Sequence, residues 1–292
     1  MKQKDVLTHT SVEEAFRTIM LNELKVVKKW RKTASQGKDP EGVHQVRIAL
    51  RKMRTALVIF RPLTEEGYDK KLAKRLKQYS RVLDSARDLD VFIDNHLNSS
   101  PPVALSTAIM AEHRQAYKKV AKLLKSHKFN KRLREDKKWL NSNKVLQKLF
   151  KNEGHVISLG LFAKNTLSSL HLSIVTQAPN IDKLDDESLH RLRIDCKKLR
   201  YATEFFSSLY DKKTIINFLE QLKILLDSLG EIHDAYIQNK QIGMLLDKQL
   251  IEDLDAKSFS VVILELGKTK KAHVMSELVK FADIICPWTT PS

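Results

Sequence analysis

The chain has 292 residues, with 52 Lys and Arg against 35 Asp and Glu, which gives a formal net charge of +17. Apolar residues make up 42% of it, which is enough to build a core, so a chain that is disordered along most of its length is excluded. Only 8 glycines and 7 prolines are present, which argues against a turn-rich β-sandwich or barrel and predicts an all-α fold.

Breaks at glycine, proline and polar clusters divide the chain into eight predicted helices, four in each half. In chain order these helices cover residues 11–36, 41–61, 65–97, 102–127, 143–176, 186–209, 212–249 and 253–284. Residues 128–142, rich in Lys and Arg, are predicted to be a basic connector between the halves. No run of about 18 apolar residues interrupts this pattern, so a membrane-spanning helix is not expected.

The positive charge is concentrated in the first half of the chain. Residues 1–146 contain 33 Lys and Arg and 16 Asp and Glu, whereas residues 147–292 contain 19 of each, so the first half carries the whole excess of +17. Such an asymmetry is typical of a surface that binds a polyanion, such as nucleic acid, acidic lipid or a polymer of phosphate. The alternative is that the charge serves solubility alone.

A sequence repeat relates the two halves at an offset of 146 residues. Residues 44–60 read HQVRIALRKMRTALVIF and residues 190–206 read HRLRIDCKKLRYATEFF. The register continues without a gap as far as Asp88, which pairs with Asp234. This repeat predicts two copies of one helical unit, related by an approximate two-fold axis and packed on a shared core.

Each copy of the repeated helix is predicted to have one cationic face and one apolar face. At about 100° per residue, the cationic side chains fall within an arc of roughly 80°. In the first copy these are His44, Arg47, Arg51 and Arg54, and in the second they are His190, Arg193, Lys197 and Arg200. The apolar face carries Val46, Leu50, Met53, Leu57 and Phe60 in the first copy, and Leu192, Cys196, Leu199 and Phe206 in the second. We expect the apolar residues, including Cys196, to face the core.

The following helix adds a second basic stripe in the first half only. Its members are Lys70, Lys74, Lys77 and Arg81, and their counterparts at +146 are Ile216, Glu220, Lys223 and Asp227. Like charges stacked on one helix face repel one another, so an anion should offset them. Carboxylates such as Asp88 and Asp234 are one possible source, but an external anion is favoured, and an arginine fork suits phosphate oxygens. The anion should then be held asymmetrically.

The paired H-x-x-R-x-x-x-R-x-x-R segments, with Leu-Arg-Tyr at 199–201 and Arg-Asp-Leu-Asp at 87–90, resemble the CHAD family of conserved histidine α-helical domains. The resemblance implies one compact domain over residues 8–286, made of two pseudo-twofold-related four-helix bundles with a basic central groove that binds inorganic polyphosphate. Its repeat halves would span about 8–127 and 143–286, joined by the connector 128–142. The residues expected to bind polyphosphate are His44, Arg47, Arg51, Arg54, Lys74, Lys77, Arg81, His190, Arg193, Lys197, Arg200 and Lys223.

This sequence departs from the family pattern at two positions. Lys197 stands where an arginine is commoner, and Asp84 occupies the position that is Gly230 in the second half. Both departures affect individual phosphate contacts rather than the resemblance as a whole.

The sequence also suggests two other functions. Sequence-nonspecific binding to the backbone of nucleic acid would use the same electrostatics, but aromatic residues are only 7% of the chain, which leaves few surfaces for stacking bases. A phosphohydrolase built on His233 and Asp234 would need further metal ligands, and the repeat places Arg87 opposite His233. We therefore expect no catalysis, no metal and no cofactor.

The expected function is a non-catalytic helical module that binds polyphosphate and targets granules rich in it. Two cysteines cannot form a disulfide framework, which indicates a reducing, cytoplasmic location.

Overall fold

The structure is a computed structural model that describes residues 10–63, 67–96, 102–142, 157–177, 185–252, 260–261, 263, 265 and 273–289. Its principal helices are α1 (Val12–Gln36), α2 (Pro40–Ile59), α3 (Tyr68–His96), α4 (Val103–Lys125), α5 (His127–Leu140), α6 (Leu159–Val175), α7 (Asp186–Phe206) and α8 (Lys212–Asp247). Residues 273–282 are also helical. The residues described contain helices and turns but no strand, which confirms the all-α prediction.

Most predicted helices lie within a few residues of the observed ones. Of the helix predicted at 143–176, residues 143–156 lie outside the described residues, and helix α6 begins at Leu159. The helix predicted at 253–284 also falls partly outside them. No helix in the described part of the chain is both long and apolar enough to cross a membrane.

Local signals at both ends of the connecting turn make α1 and α2 a tight hairpin. Gly37 ends α1 in the left-handed conformation at φ 67°, and the Asp39 side chain caps α2 by accepting from the Glu41 amide at 2.8 Å. Gly42 then allows the two backbones to approach, because a Cβ there would lie 2.4 Å from the Ala34 nitrogen.

Residues 128–142, predicted as a basic connector, form most of helix α5. Ser126 caps the helix, and Phe129, Leu133, Asp136 and Leu140 point inwards at helical spacing and are buried. The exposed side carries the basic residues Lys128, Lys131, Arg134, Lys137 and Lys138. These exposed charges dominate the composition of the segment, which is why it resembles a linker in the sequence.

A buried polar cluster ties α5 to α3. The Asp136 carboxylate accepts hydrogen bonds from Arg75 and from the Tyr68 hydroxyl, the latter at 2.7 Å. The Tyr68 ring stacks on Trp139 with ring centroids 4.9 Å apart. Burial raises the pKa of Asp136, whereas Tyr68 and Arg75 act in the opposite direction by stabilising the charged carboxylate.

The chain forms two compact units, and neither is a contiguous half of the sequence. Unit 1 contains residues 1–87, 113–166 and 205–209, and unit 2 contains residues 88–112, 167–204 and 210–292. In the core of unit 1, the Phe60 ring lies 5.1 Å from Phe16, 5.0 Å from Phe162 and 6.1 Å from Phe206. The two predicted repeat halves and their two-fold relation stay predictions.

The core of unit 2 contains a second aromatic cluster. The Phe218 ring lies 5.0 Å from Trp288 and 5.4 Å from Phe281, and His171 packs 5.4 Å from Phe281. Burial lowers the pKa of His171 from its ordinary value of 6.5, so the imidazole is neutral in the folded chain at neutral pH.

Candidate anion-binding faces

The repeated helices have the two faces that their sequences predict. The apolar residues predicted for α2 and α7 are buried, and Cys196 is fully enclosed, which raises the pKa of its thiol. Cys286 is also buried, with a thiol pKa of about 11. Both thiols are therefore protonated at neutral pH.

We call the cationic side chains of α2 and α3 in unit 1 the first face. The residues that α3 contributes to this face are all exposed, whereas the arginines that α2 contributes are partly buried. The first face consists of Arg47, Arg51, Arg54, Lys70, Lys74, Lys77 and Arg81. His44, at the start of the α2 arc, is also partly buried.

Asp84 of α3 lies among the arginines of the first face. Its Oδ1 accepts a hydrogen bond from Arg47 Nε and lies 3.6 Å from Arg51 Nη2. The Asp84 side chain is still 31% exposed, so the three charged groups border solvent. Part of the charge of α2 is thus balanced within unit 1, where the sequence favoured an external anion.

We call the matching residues of α7 and α8 in unit 2 the second face: Arg193, Lys197, Arg200 and Lys223. The three α7 residues meet in an open cleft of about 480 Å³, and Lys223 is exposed on α8 one turn before the cleft. The cleft is also lined by Tyr201, Leu226, Asp227, Gly230, Glu231 and Asp234. Arg193 Nη2 lies 3.9 Å from Asp234 Oδ1, which confirms this carboxylate as a partner of the arc.

Gly230 forms part of the wall beneath Arg193. A Cβ at this position would lie 3.8 Å from Arg193 Nη2. The register-equivalent residue in unit 1 is Asp84, whose carboxylate binds the matching arginine, Arg47. The same helix position therefore carries a counter-charge in one unit and only backbone in the other.

His190 pairs with His233 at one side of the second face. The two rings stack with centroids 4.7 Å apart, and their Nδ1 atoms are 3.1 Å apart. For this contact to be a hydrogen bond, one Nδ1 must carry a proton and donate, and the other must be unprotonated and accept the hydrogen bond. The sequence did not indicate this pair, since the repeat matches His233 with Arg87 and no spacing rule links positions 190 and 233.

Within the part of the chain that the structure describes, no group of three or more His, Cys, Asp and Glu side chains is arranged to hold a metal ion. The chemistry of both faces suits the binding of anions, because guanidinium and ammonium groups border solvent on each. Each face also contains carboxylates among its cations. Whether the predicted site residues contact phosphate stays a prediction.

Comparisons with known proteins point to a single protein family. A family model described as the CHAD domain matches residues 18–242. The fold is similar to the crystal structure of the CHAD domain from the plant Ricinus communis, at 23% identity over 98% of this chain and 96% of that one, with a TM-score of 0.85. It is also similar to PptA from Streptomyces chartreusis, at 12% identity over 93% and 99% of the two chains, with a TM-score of 0.67. No curated protein sequence matches the chain.

Proposed function

The chain belongs to the CHAD domain family, and we propose that it binds inorganic polyphosphate through its first and second cationic faces. The observation that carries the proposal is the first face, where two consecutive helices of unit 1 present seven Lys and Arg side chains and Asp84 lies beside two of them, Arg47 and Arg51. A flexible polymer with a negative charge on every unit can neutralise several of these cations at once.

The geometry of the arginines suits phosphate. Each guanidinium can donate two parallel hydrogen bonds to phosphate oxygens, and it stays charged at any physiological pH. The seven residue steps from Arg47 to Arg54 extend over about 10 Å of helix, so the α2 arc is longer than one phosphate group. The exposed lysines of α3 add charge without a fixed geometry, which suits a ligand that has no unique sequence.

We propose further that the protein binds without catalysing a reaction. His233, the residue that suggested a hydrolase, stacks on His190, and its neighbour Asp234 lies 3.9 Å from Arg193. Guanidinium groups repel a divalent cation, which makes these histidines poor metal ligands. In this proposal the histidines donate hydrogen bonds to the anion, and the protein acts in the cytoplasm, where it targets polyphosphate granules.

Binding to the backbone of nucleic acid is the second candidate function. The exposed side of α5 favours it, because Lys128, Lys131, Arg134 and Lys138 project from one helix away from its buried residues. Such a surface attracts any polyanion, whereas the two faces offer arginines in a defined arrangement.

A pair of matched double variants separates site binding from diffuse attraction. Arg47→Ala/Arg193→Ala removes one arginine from each face, and Lys131→Ala/Arg134→Ala removes the same charge from the exposed side of α5. We expect the first variant to lose at least about tenfold in affinity for long-chain polyphosphate and the second to lose less than about threefold. Equal losses in the two variants would refute site binding and make nonspecific binding the better account.

A further inference from the structure

The two faces differ in their own carboxylates, although their arginine-bearing helices are equivalent. The α2 and α7 arcs each carry three cations at matching positions. The differences lie on the partner helices, where α8 has acidic residues in place of two cations and one serine of α3. Lys74 corresponds to Glu220, Arg81 to Asp227 and Ser85 to Glu231.

Counting the matching positions of each helix pair shows how large this difference is. Between residues 74 and 88, α3 carries two carboxylates, Asp84 and Asp88, to set against the seven cations of the first face. Over the matching residues 220–234, α8 carries four carboxylates, Glu220, Asp227, Glu231 and Asp234, to set against the four cations of the second face. The first set keeps an excess of five positive charges, and the second set has none.

Two of the additional α8 carboxylates, Asp227 and Glu231, lie in the cleft of the second face. Asp227, Glu231 and Asp234 line the same cleft as Arg193, Lys197 and Arg200. A phosphate that enters this cleft approaches three negative charges as well as three positive ones, so Coulomb attraction largely cancels. In unit 1, by contrast, the residue matching Asp227 is Arg81, which is exposed one turn from Asp84 on α3.

We propose that the first face holds the polyphosphate and that the carboxylates of α8, Asp227 above all, weaken the second face. This inference rests on the proposed function, and it gives the two repeats unequal shares of the polyphosphate binding. Asp227 is then the residue that most lowers the affinity of the second cleft for phosphate. The first face sets the affinity.

Reciprocal charge exchange at the matching positions tests the proposal. Arg81→Asp gives the first face the residue of the second, and Asp227→Arg gives the second face the residue of the first. Asp247→Arg serves as the control, because it makes the same charge change at an exposed site on the same helix, about 30 Å from Asp227 at 1.5 Å per residue. That distance exceeds the screening length of about 10 Å at 0.1 M salt.

The measurement is the affinity of the full chain for long-chain polyphosphate at 0.1 M salt, with helical content and melting temperature recorded for each variant. We expect Arg81→Asp to weaken binding about tenfold or more, Asp227→Arg to tighten it about tenfold, and Asp247→Arg to change it by less than about twofold. If Asp227→Arg does not fold, Asp227→Asn should show a smaller tightening of the same sign.

The outcomes separate this inference from the proposed function. A native chain that binds no polyphosphate overturns the proposed function itself. A native chain that binds, with Asp227→Arg no tighter than Asp247→Arg or with Arg81→Asp unchanged, overturns only the unequal roles of the two faces.

Discussion

The buried Asp136 of α5 gives the sharpest test of how unit 1 is held together. Its side chain is 2% exposed and that of its partner Arg75 is 16% exposed. Changing Asp136 to alanine leaves a mostly buried guanidinium and the Tyr68 hydroxyl without their acceptor. Removing one partner of a buried ion pair costs about 3–5 kcal/mol in the free energy of unfolding. At about 2–4 °C per kcal/mol for a chain of this size, the melting temperature should fall by roughly 6–20 °C.

The same helix provides the control, since Glu135 pairs with Arg132 at 2.6 Å on the exposed side. Thermal unfolding followed by helical circular dichroism should show no measurable change for Glu135→Ala, because exposed pairs contribute little. A double variant, Arg75→Met/Asp136→Leu, should be less destabilised than Asp136→Ala, since it leaves no buried charge. If Asp136→Ala and Glu135→Ala melted at the same temperature, the cluster would have no structural role.

Two other stability predictions and one binding prediction follow from the structure. Because burial lowers the pKa of His171, the unfolded chain binds its proton at a higher pH than the folded chain. The contribution of His171 to the free energy of unfolding should therefore be greatest above pH 6.5 and fall as the pH drops below it. In thermal melts between pH 5 and 7.5, His171→Phe should make the melting temperature less dependent on pH. An unchanged pH dependence would refute a buried, neutral His171. Gly42→Ala should lower the melting temperature strongly, because its Cβ would meet the Ala34 backbone, whereas Gly160→Ala points into open space and should leave it unchanged or slightly higher. Polyphosphate affinity should fall linearly on a log–log plot against salt, with a shallower slope for Arg47→Ala, and an equal slope would exclude a direct phosphate contact.

The repeated helices could be predicted from the sequence because their information is local. A helix period alone separates Val46, Leu50 and Met53 from the arginines of α2, and all three are buried as expected. The fold class followed from composition and from this periodicity, and the family from the repeat of the motif.

Features that depend on distant contacts could not be predicted in this way. Helix α5 has only four inward positions, and one of them is Asp136, whose partner Arg75 is 61 residues away. A charged residue at a core position makes the segment resemble a linker until that partner is known. The stacked His190 and His233 are 43 residues apart on different helices, and no periodicity connects them.

The charge pattern was informative, but its meaning depends on the structure. The sequence located the excess charge in the first half and predicted that the anion is held asymmetrically. The contact between Asp84 and Arg47 and the carboxylates in the cleft of the second face show that both faces contain internal counter-charges. Register alone indicated that Asp84 replaces a glycine, and only the geometry showed that its carboxylate reaches two arginines.

The most direct test of polyphosphate binding is a competition experiment with the native chain. Long-chain polyphosphate would be compared with single-stranded and double-stranded nucleic acid at equal phosphate concentration and at two salt concentrations. The proposal predicts that polyphosphate displaces both nucleic acids at each salt concentration, and that its affinity falls steeply as salt rises. Equal binding to all three polymers would contradict a polyphosphate site and would show that the charge of +17 attracts polyanions without selection.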